Sequence, residues 1–543
     1  MKRDLSRLIG ERFDLLVVGG GIHGLATAYD AAQRGLRVAL VERGDLGGGS
    51  SFNHQKTAHG GLRYLQSADF RRARESVRER RALARIAPHL VHPLAFVLPA
   101  YRSLTSGSTA LRAGFLLDRI VAWDRNAGLP PSLHLPAGRV ISRTRALERF
   151  PGVRRHRLTG AGVWYDYQMS DAERLTMAFA QAAVEQGAVL ATYAEAEGPL
   201  REAGRIAGMR VRDVRAGQTF DISASLTVNA AGAGAGLLMR ACGVDRDVPL
   251  LLAMNLVTSR DAAPDALGAK TPSGRHLFLV PWRGRALIGT WESPATCSPD
   301  TAATTAQVEA FRSEINQTFP ALDLAPGEIT LVHRGVVPAE VGSDGRVSLR
   351  GHHELRDHRV DGADGFVTVI GVKYTTARQV AEEVVDLVAA RLNRTTAACR
   401  TAVTPLPGGE RPDVDVLVEE ARRALGSHLP ADVVSHLVRA YGARYQAIVH
   451  LMVERPGLDE RLPGPHPVIG AELVYAVRNG LACTLTDAVV RRTGMGAAGY
   501  PGHQAAGAAA EILATELGWD AFRMAEELRM LKEFYRPLSP TAP

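Results

Sequence analysis

Short apolar runs that alternate with a helical segment mark the amino-terminal part of the chain. Residues 13–18 (FDLLVV) are apolar and rich in branched side chains, the pattern of a buried parallel strand. Residues 25–34 are alanine-rich, Gly35 ends that segment, and residues 37–41 form a second apolar run. This order predicts a strand–helix–strand unit.

Later segments extend the pattern along the chain. Apolar residues recur at three- and four-residue steps between positions 434 and 452, which predicts helices in the carboxyl-terminal part. Elsewhere we expect a strand entering a glycine turn at 224–234, a β-hairpin at 276–282 and 285–290, and a strand, turn and helix start at 369–378.

A glycine-rich turn joins the first strand to the helix. It has the form G-x-G-x-x-G, with Gly19 in the tight turn, Gly21 where a pyrophosphate approaches and Gly24 where helix packs on strand. Glu42 ends the second strand, where a carboxylate accepts hydrogen bonds from ribose hydroxyls. The context predicts a dinucleotide site, and an acid at position 42 disfavours NADP while leaving FAD and NAD open.

Composition excludes several classes of protein. Of 543 residues, 46% are hydrophobic and 22% charged, which excludes a disordered or fibrous chain. The four cysteines are scattered without metal-ligand spacing, so we expect neither a disulfide scaffold nor a metal site. Residues 1–13 are too charged for a secretory signal, and no run is apolar enough to span a membrane, so we expect a cytoplasmic protein.

The segment after the first unit carries a specific resemblance. Residues 45–66 read DLGGGSSFNHQKTAHGGLRYLQ, which resembles the FAD-dependent glycerol-3-phosphate dehydrogenases in the H-G-G-L-R-Y-L run and in the Gly/Ser turn before it. The resemblance implies that the turn meets the flavin phosphates and that the run lies under the isoalloxazine. It implies cofactor contacts at Ser50, Ser51, His59, Gly60 and Gly61.

Other motifs extend this resemblance over roughly residues 13–531. The N-A-A-G turn at 229–232 implies a cofactor contact at Gly232. Residues 369–378 (VIGVKYTTAR) resemble the family's I-G-G-K-x-T-T-x-R, which implies contacts at Gly371 and Thr375. Lys373 carries the most weight, because only five of the 65 basic residues are lysine. Residues 471–478 and 485–496 resemble the signature of the family's helical cap.

The resemblance implies FAD as cofactor and the oxidation of sn-glycerol 3-phosphate to dihydroxyacetone phosphate, with hydride passing to flavin N5 and electrons onward to quinone. It implies substrate contacts at Arg63, Tyr64, Arg356 and Lys373. One contact is missing, because Val337 stands where the family has an arginine; the family's K-G-S-H motif is missing too. Arg334 is three positions away, an odd offset that faces the opposite side of a strand.

Two other functions stay open at this point. A diverged oxidase or dehydrogenase of the same superfamily, acting on another hydroxy acid or an amine, is favoured by the missing arginine. A non-catalytic FAD-binding protein is disfavoured by Lys373 and the run at 59–65. His59 and His333 are both candidates for taking the hydroxyl proton, and neither is assigned.

An arginine-rich helix is predicted at residues 71–85. The spacing favours a solvated face with i,i+4 ion pairs, and the helix lacks the aromatic residues and basic domain of a nucleic-acid site. A peripheral contact with anionic lipid on the inner face of the plasma membrane is the functional alternative. Oligomeric state is not predicted.

These observations predict an α/β fold with a discontinuous FAD-binding Rossmann-like domain, an antiparallel β-sheet substrate domain and a carboxyl-terminal helical domain. Residues 1–404 hold the first two domains, and residues 405–543 form the third. We expect FAD-binding segments at about 13–85, 160–245 and 345–404, and substrate-domain segments at about 86–159 and 246–344.

Overall fold

A computed structural model describes residues 1–65, 67–102 and 107–536, except for the side chain of Arg63. Within these ranges the chain forms two β-sheets with helices around them. The strands are β1 Arg12–Val18, β2 Val38–Val41, β3 Thr57–Ala58, β4 Val91–Tyr101, β5 Arg139–Ser142, β6 Leu158–Met169, β7 Val189–Ala191, β8 Ala194–Glu202, β9 Arg205–Asp213, β10 Thr219–Asn229, β11 Leu250–Thr258, β12 Ala266–Lys270, β13 His276–Trp282, β14 Arg285–Glu292, β15 Ile329–Val341, β16 Val347–Leu349, β17 Glu354–Asp357 and β18 Phe366–Ile370.

The helices lie between these strands and, beyond residue 413, follow one another. They are α1 Ile22–Gln33, α2 Leu62–Leu65, α3 Phe70–Ile86, α4 Ser108–Val121, α5 Arg143–Arg149, α6 Ala172–Glu185, α7 Ala235–Ala241, α8 Thr305–Thr318, α9 Ala377–Leu392, α10 Val414–Leu425, α11 Ala431–Tyr441, α12 Tyr445–Met452, α13 Gly470–Gly480, α14 His503–Leu517 and α15 Ala521–Phe534. A π-helical turn covers Asp487–Arg492.

The first sheet carries the predicted strand–helix–strand unit. Its strand order is β17-β18-β10-β1-β2-β7, with β9 and β8 extending from β10. The strands β18, β10, β1, β2 and β7 run parallel, so their carboxyl ends share one edge. Ligands of open parallel sheets bind at that edge.

The two faces of β1 pack into different layers, as alternation along a strand requires. Leu15 and Val17 join the apolar core that contains α1, α6 and α9. Leu16 and Val18 join a second apolar layer on the other face, formed with residues of β9 and β10. Both faces of the strand are therefore covered, which explains why residues 13–18 lack a polar alternation.

The second sheet is mainly antiparallel, with order β16-β15-β11-β14-β13-β12-β4-β6-β3 and β5 paired to β6. Its predicted hairpin is present as β13 and β14, joined at residues 283–284. Strand β15 pairs with β11 over residues 329–338 and brings Gly335 to the first sheet's ligand edge.

The predicted fold class is confirmed: a discontinuous parallel sheet, an antiparallel sheet and a carboxyl-terminal helical region are all present. The expected segment boundary at 160 falls inside β6, which pairs with β4 in the second sheet. Strand pairing therefore favours a boundary near Ala172, where α6 begins. The division into domains stays a prediction.

The arginine-rich helix is present as α3, but the expectation of a solvated face held by i,i+4 pairs is wrong for much of it. Arg80 is buried and pairs with Asp166, and Arg74 and Arg81 both pair with Asp124. The spacing of charges fixes which residues share a helix face, but not what packs against that face. No helix within the described ranges is long and apolar enough to cross a bilayer.

Candidate functional site

A cavity of about 810 Å³ lies where β1, β2 and β10 end. Its walls combine the glycine turn, the loop after β2 and the turn after β10. Of the residues predicted to bind a cofactor, those lining this cavity are Gly19, Gly21, Glu42, Ser50, Ser51 and Gly232. The structure thus brings together residues that are up to 213 positions apart in the sequence.

Two glycines of the turn are required by close packing. Gly19 has φ +114°, and a Cβ there would lie 2.5 Å from the carbonyl oxygen of Ala230. A Cβ on Gly24 would lie 1.9 Å from the carbonyl oxygen of Gly19, so helix α1 can approach β1 only with glycine here. Gly24 therefore shapes the cavity without lining it, which is the role that the motif predicts.

Glycines also leave space for a ligand along the cavity walls. A Cβ at Gly49 or Gly232 would meet no protein atom within 4 Å, so both positions face open space. Gly21 is the N-cap of α1 and supplies no side-chain acceptor, while the N–H of Ile22 donates to Ser51 Oγ at 2.9 Å. These residues fit a dinucleotide whose diphosphate accepts hydrogen bonds at the helix terminus.

Glu42 lies at the end of β2 in the wall of this cavity. Its carboxylate oxygens accept hydrogen bonds from the N–H groups of Gly20 at 2.7 Å and Gly44 at 2.8 Å. Burial raises the pKa of Glu42, and the two N–H groups oppose that rise. The carboxylate is held in place and retains lone pairs for ribose hydroxyls.

The loop after β2 leads from the first cavity to a second one of about 590 Å³. Residues 48–51 line the first cavity, and residues 54, 55, 57 and 59 line the second. Four predicted residues line the second cavity: His59, Tyr64, Lys373 and Thr375. The chain path allows one extended ligand to occupy both cavities.

The second cavity is positively charged. Lys373 Nζ lies 3.8 Å from the centre of the Tyr64 ring, and Arg72 and Arg350 line the same space. Among its described lining residues there is no Asp or Glu. This charge suits an anionic ligand, or negative charge that develops during a reaction.

His59 is held in this cavity by a hydrogen-bonded network. Its side chain is 48% exposed, with Nε2 2.7 Å from Thr57 Oγ1 and Nδ1 3.4 Å from a carboxylate oxygen of Asp166. Asp166 is buried, pairs with Arg80 and accepts the N–H of Gly60 at 2.6 Å. Burial opposes ionisation of Asp166, but Arg80, His59 and the N–H of Gly60 together outweigh burial and lower the pKa of that carboxyl.

His333, the other candidate base, lies elsewhere. It is fully buried, its ring packs against Phe52 and Trp282, and neither ring nitrogen has a hydrogen-bond partner among the described residues. Burial, with help from the nearby charge of Lys56, lowers its pKa to about 3. The Lys56 ammonium is itself buried in an ion pair with Glu173. His333 is therefore a neutral core residue outside both cavities.

The remaining predicted glycines permit close packing around the cavities. A Cβ on Gly60 would lie 2.1 Å from Arg80, and one on Gly371 would lie 2.3 Å from the ring of His23. Gly61 has φ +81°.

Two residues that were predicted to contact substrate, Arg63 and Arg356, are not among the described residues that line the second cavity. The side chain of Arg63 lies outside the described part of the structure. Arg356, on β17, pairs with Glu354, and its Nη1 is buried with no partner in the part of the chain that the structure describes. Arg356 is absent from the described residues that line the cavity, so its contact with substrate stays a prediction.

Sequence reasoning missed five arginines at the cavities. Arg72 and Arg350 line the second cavity, and Arg43, Arg212 and Arg491 line the first. Sixty arginines in the chain make any one of them a weak signal. Only Arg491 had a local cue, because it lies in the resembling motif at 485–496.

Comparison with known proteins agrees with this geometry. Residues 14–387 match the family model described as FAD dependent oxidoreductase, and residues 399–524 match the C-terminal domain of alpha-glycerophosphate oxidase. The chain is 31% identical to a glycerol-3-phosphate dehydrogenase of Synechocystis sp., covering 98% of both chains. It is 31% identical to the mitochondrial glycerol-3-phosphate dehydrogenase of Mus musculus, over 96% of this chain and 73% of that protein.

A solved structure shares the fold. The glycerol-3-phosphate dehydrogenase of Bacillus halodurans, complexed with FAD, superposes with a TM-score of 0.79 at 24% identity and covers 99% of this chain and 98% of that chain.

Proposed function

Since the chain belongs to the FAD dependent oxidoreductases, and within them to the glycerol-3-phosphate dehydrogenase family, we propose that it oxidises sn-glycerol 3-phosphate to dihydroxyacetone phosphate. Family membership confirms the predicted resemblance and FAD as the cofactor. The observation that carries the proposed substrate is the second cavity, which three cationic side chains line without a carboxylate among its described residues. A phosphate monoester dianion complements that charge.

The residues of the two cavities have distinct tasks in this reaction. The glycine turn, Ser51 and Glu42 would hold the adenosine and diphosphate of FAD, and bound FAD supplies a hydride acceptor at the second cavity. Lys373 stabilises negative charge that develops there.

We propose that His59, rather than His333, is the base that accepts the proton of the C2 hydroxyl. His59 lines the second cavity, whereas His333 is buried outside it. A proton on Nδ1 would be donated towards Asp166, so that Nε2 carries the lone pair and accepts from the Thr57 hydroxyl. The C2 proton would then reach Nε2 through the Thr57 hydroxyl, which also fixes the orientation of the ring.

The second candidate function is a dehydrogenase or oxidase of the same family for another hydroxy acid or an amine. Val337 favours it, since this side chain packs with Leu251 and Ala253 in an apolar cluster and offers no positive charge. Anaerobic mixing of the holoenzyme with a substrate panel separates the two. Glycerol 3-phosphate should bleach the flavin, whereas bleaching only by amino acids or unphosphorylated hydroxy acids would select the second function.

We further propose a quinone as electron acceptor, reached by peripheral contact with the inner face of the plasma membrane. Helix α4 supports this contact better than α3, because its apolar residues project from the surface. Leu116 and Ile120 on α4 are 63% and 64% exposed, and Trp123, just after the helix, is 78% exposed. The exposed arginines Arg112 and Arg119 also lie on α4. Apolar side chains beside cations suit an anionic lipid surface.

Sedimentation with vesicles tests this surface. The protein should bind vesicles that contain anionic lipid, and Ile120→Glu should weaken binding without changing reduction of a soluble dye. Equal binding of the wild type and the variant would refute the role of α4.

A further inference from the structure

We propose that Arg491 binds the diphosphate of FAD, and that this contact makes the carboxyl-terminal helical region part of the cofactor site. Arg491 belongs to the π-helical turn Asp487–Arg492. The other described residues that line the first cavity all lie between positions 18 and 336. This role requires that FAD binds, and it does not depend on which substrate the enzyme oxidises.

The Arg491 side chain is buried, but its hydrogen-bonding capacity is not used up. It is 8% exposed, its Nε pairs with Asp45, and its Nη2 donates to Asp487 at 2.9 Å. Its other terminal nitrogen, Nη1, has no partner among the described residues and is not sealed from solvent by protein atoms. A guanidinium has five N–H donors, so those on Nη1 are open to a ligand in the cavity that Arg491 lines.

The loop that carries Asp45 brings Arg491 close to the glycine turn. Gly47, two residues after Asp45, donates its N–H to the carbonyl oxygen of Gly20 at 2.9 Å. A Cβ on Gly20 would lie 2.6 Å from Leu46 Cδ2, so the loop packs directly on the turn. In this fold the diphosphate binds at the glycine turn, beside the amino end of the helix. Arg491 is therefore tied to the loop that covers the diphosphate site.

Arg491 is the cation in this cavity that suits an anionic ligand best. Three arginines are among the described lining residues, and only Arg491 is buried. Arg43 is exposed, and Arg212 is engaged by both Glu195 and Glu197. Charge-assisted hydrogen bonds from a buried guanidinium are stronger than those of an exposed one, because water competes less for the anion.

A set of buried contacts links this cavity to the carboxyl-terminal region. Asp45 pairs with Arg492 as well as with Arg491, so the charges of Asp45, Asp487 and the two arginines cancel. An added diphosphate would therefore meet no net negative charge from this network. The hydroxyl of Tyr193, which also lines the cavity, donates to Asp487 at 2.8 Å. Filling the cavity should thus stabilise the position of the π-helical turn.

Binding of ADP and of adenosine distinguishes a diphosphate contact from a structural role. The full-length chain, freed of flavin by dialysis against potassium bromide, is titrated calorimetrically with each compound. We expect Arg491→Gln to weaken ADP binding about 10- to 100-fold, as for a lost charge-assisted hydrogen bond, with little change for adenosine. Arg491→Lys keeps the positive charge and should recover part of the loss.

Arg492→Gln is the matched control. Arg492 pairs with the same Asp45 and is fully buried, but it is not among the described residues that line the cavity. Any loss of affinity in this variant should be equal for ADP and adenosine. An equal fold-loss for the two compounds in Arg491→Gln would overturn the proposal and leave Arg491 a structural residue, and so would an unchanged affinity for ADP.

Hydrogen exchange of the wild-type protein tests the coupling without any substitution. Amides of residues 481–492 should exchange more slowly when FAD is bound than after its removal, and ADP should slow them more than adenosine does. Helix α12, which lines neither cavity within the described residues, serves as the internal reference. Equal exchange of residues 481–492 with and without FAD would overturn the coupling.

Neither measurement uses a substrate. If glycerol 3-phosphate failed to reduce the flavin, the proposed function would fall, while a selective loss of ADP binding in Arg491→Gln would still support the diphosphate contact.

Discussion

Asp45→Asn probes the buried charge network that joins the cofactor cavity to the carboxyl-terminal helices. Asp45 pairs with Arg491 and Arg492, and Arg491 also donates to Asp487 at 2.9 Å. All four side chains are buried, so water screens little of the interaction. Burial would raise the pKa of Asp45, but the two guanidiniums outweigh it and hold that pKa below its ordinary value.

The substitution removes one of two negative charges and leaves two buried guanidiniums. Breaking a buried ion pair by removing one partner costs about 3–5 kcal/mol. For a chain of this size that corresponds to a fall in melting temperature of about 3–4 °C. FAD should also be held less tightly, because Asp45 and Arg491 both line the first cavity.

Thermal unfolding followed by circular dichroism and by the fluorescence of released flavin measures both effects. Asp432→Asn is the control, since its pair with Arg461 is exposed and worth roughly 0–1 kcal/mol. Adding Arg492→Gln to Asp45→Asn restores charge balance and should recover part of the loss. A melting temperature for Asp45→Asn equal to that of the control would refute the reasoning.

Three other predictions follow from the geometry. Gly24→Ala should prevent FAD retention, because the added Cβ would overlap the carbonyl oxygen of Gly19. The ratio of flavin to protein absorbance measures this, and Gly507→Ala, which has open space around it, should retain FAD. Lys373→Ala should retain flavin yet slow its anaerobic reduction about 10²-fold in rapid mixing, and unchanged kinetics would remove its charge-stabilising role. Burial lowers the pKa of His89 and His333 to about 3, so below about pH 6.5 the unfolded chain binds more protons than the folded one. The free energy of unfolding should therefore fall by about 1.4 kcal/mol per pH unit for each histidine as the pH is lowered. A melting temperature that is constant from about pH 7 to about pH 5 would contradict this.

Local patterns predicted the parts of the molecule that depend on neighbouring residues. The apolar run at 13–18, the glycines after it and Glu42 lie in one strand–turn–helix–strand unit, so spacing alone fixed their arrangement. The same holds for the strand and turn around Lys373.

Contacts between residues that are distant in the sequence determine the site features that local patterns did not predict. Arg72 lines a cavity because α3 packs beside the loop at 349–351, and nothing in the spacing of arginines predicts that neighbour. His333 and His59 are alike as sequence candidates, but one is enclosed by Phe52 and Trp282 and the other faces a cavity. Arg491 lines the first cavity and pairs there with Asp45, which is 446 residues away in the sequence.

We propose that this FAD enzyme takes two electrons from C2 of glycerol 3-phosphate. The most direct measurement mixes oxygen-free holoenzyme with that compound, follows the visible flavin absorbance and quantifies dihydroxyacetone phosphate in the quenched mixture. We expect one equivalent of dihydroxyacetone phosphate for each flavin bleached. Oxidised flavin after saturating substrate, or bleaching without the matching ketone, would contradict it.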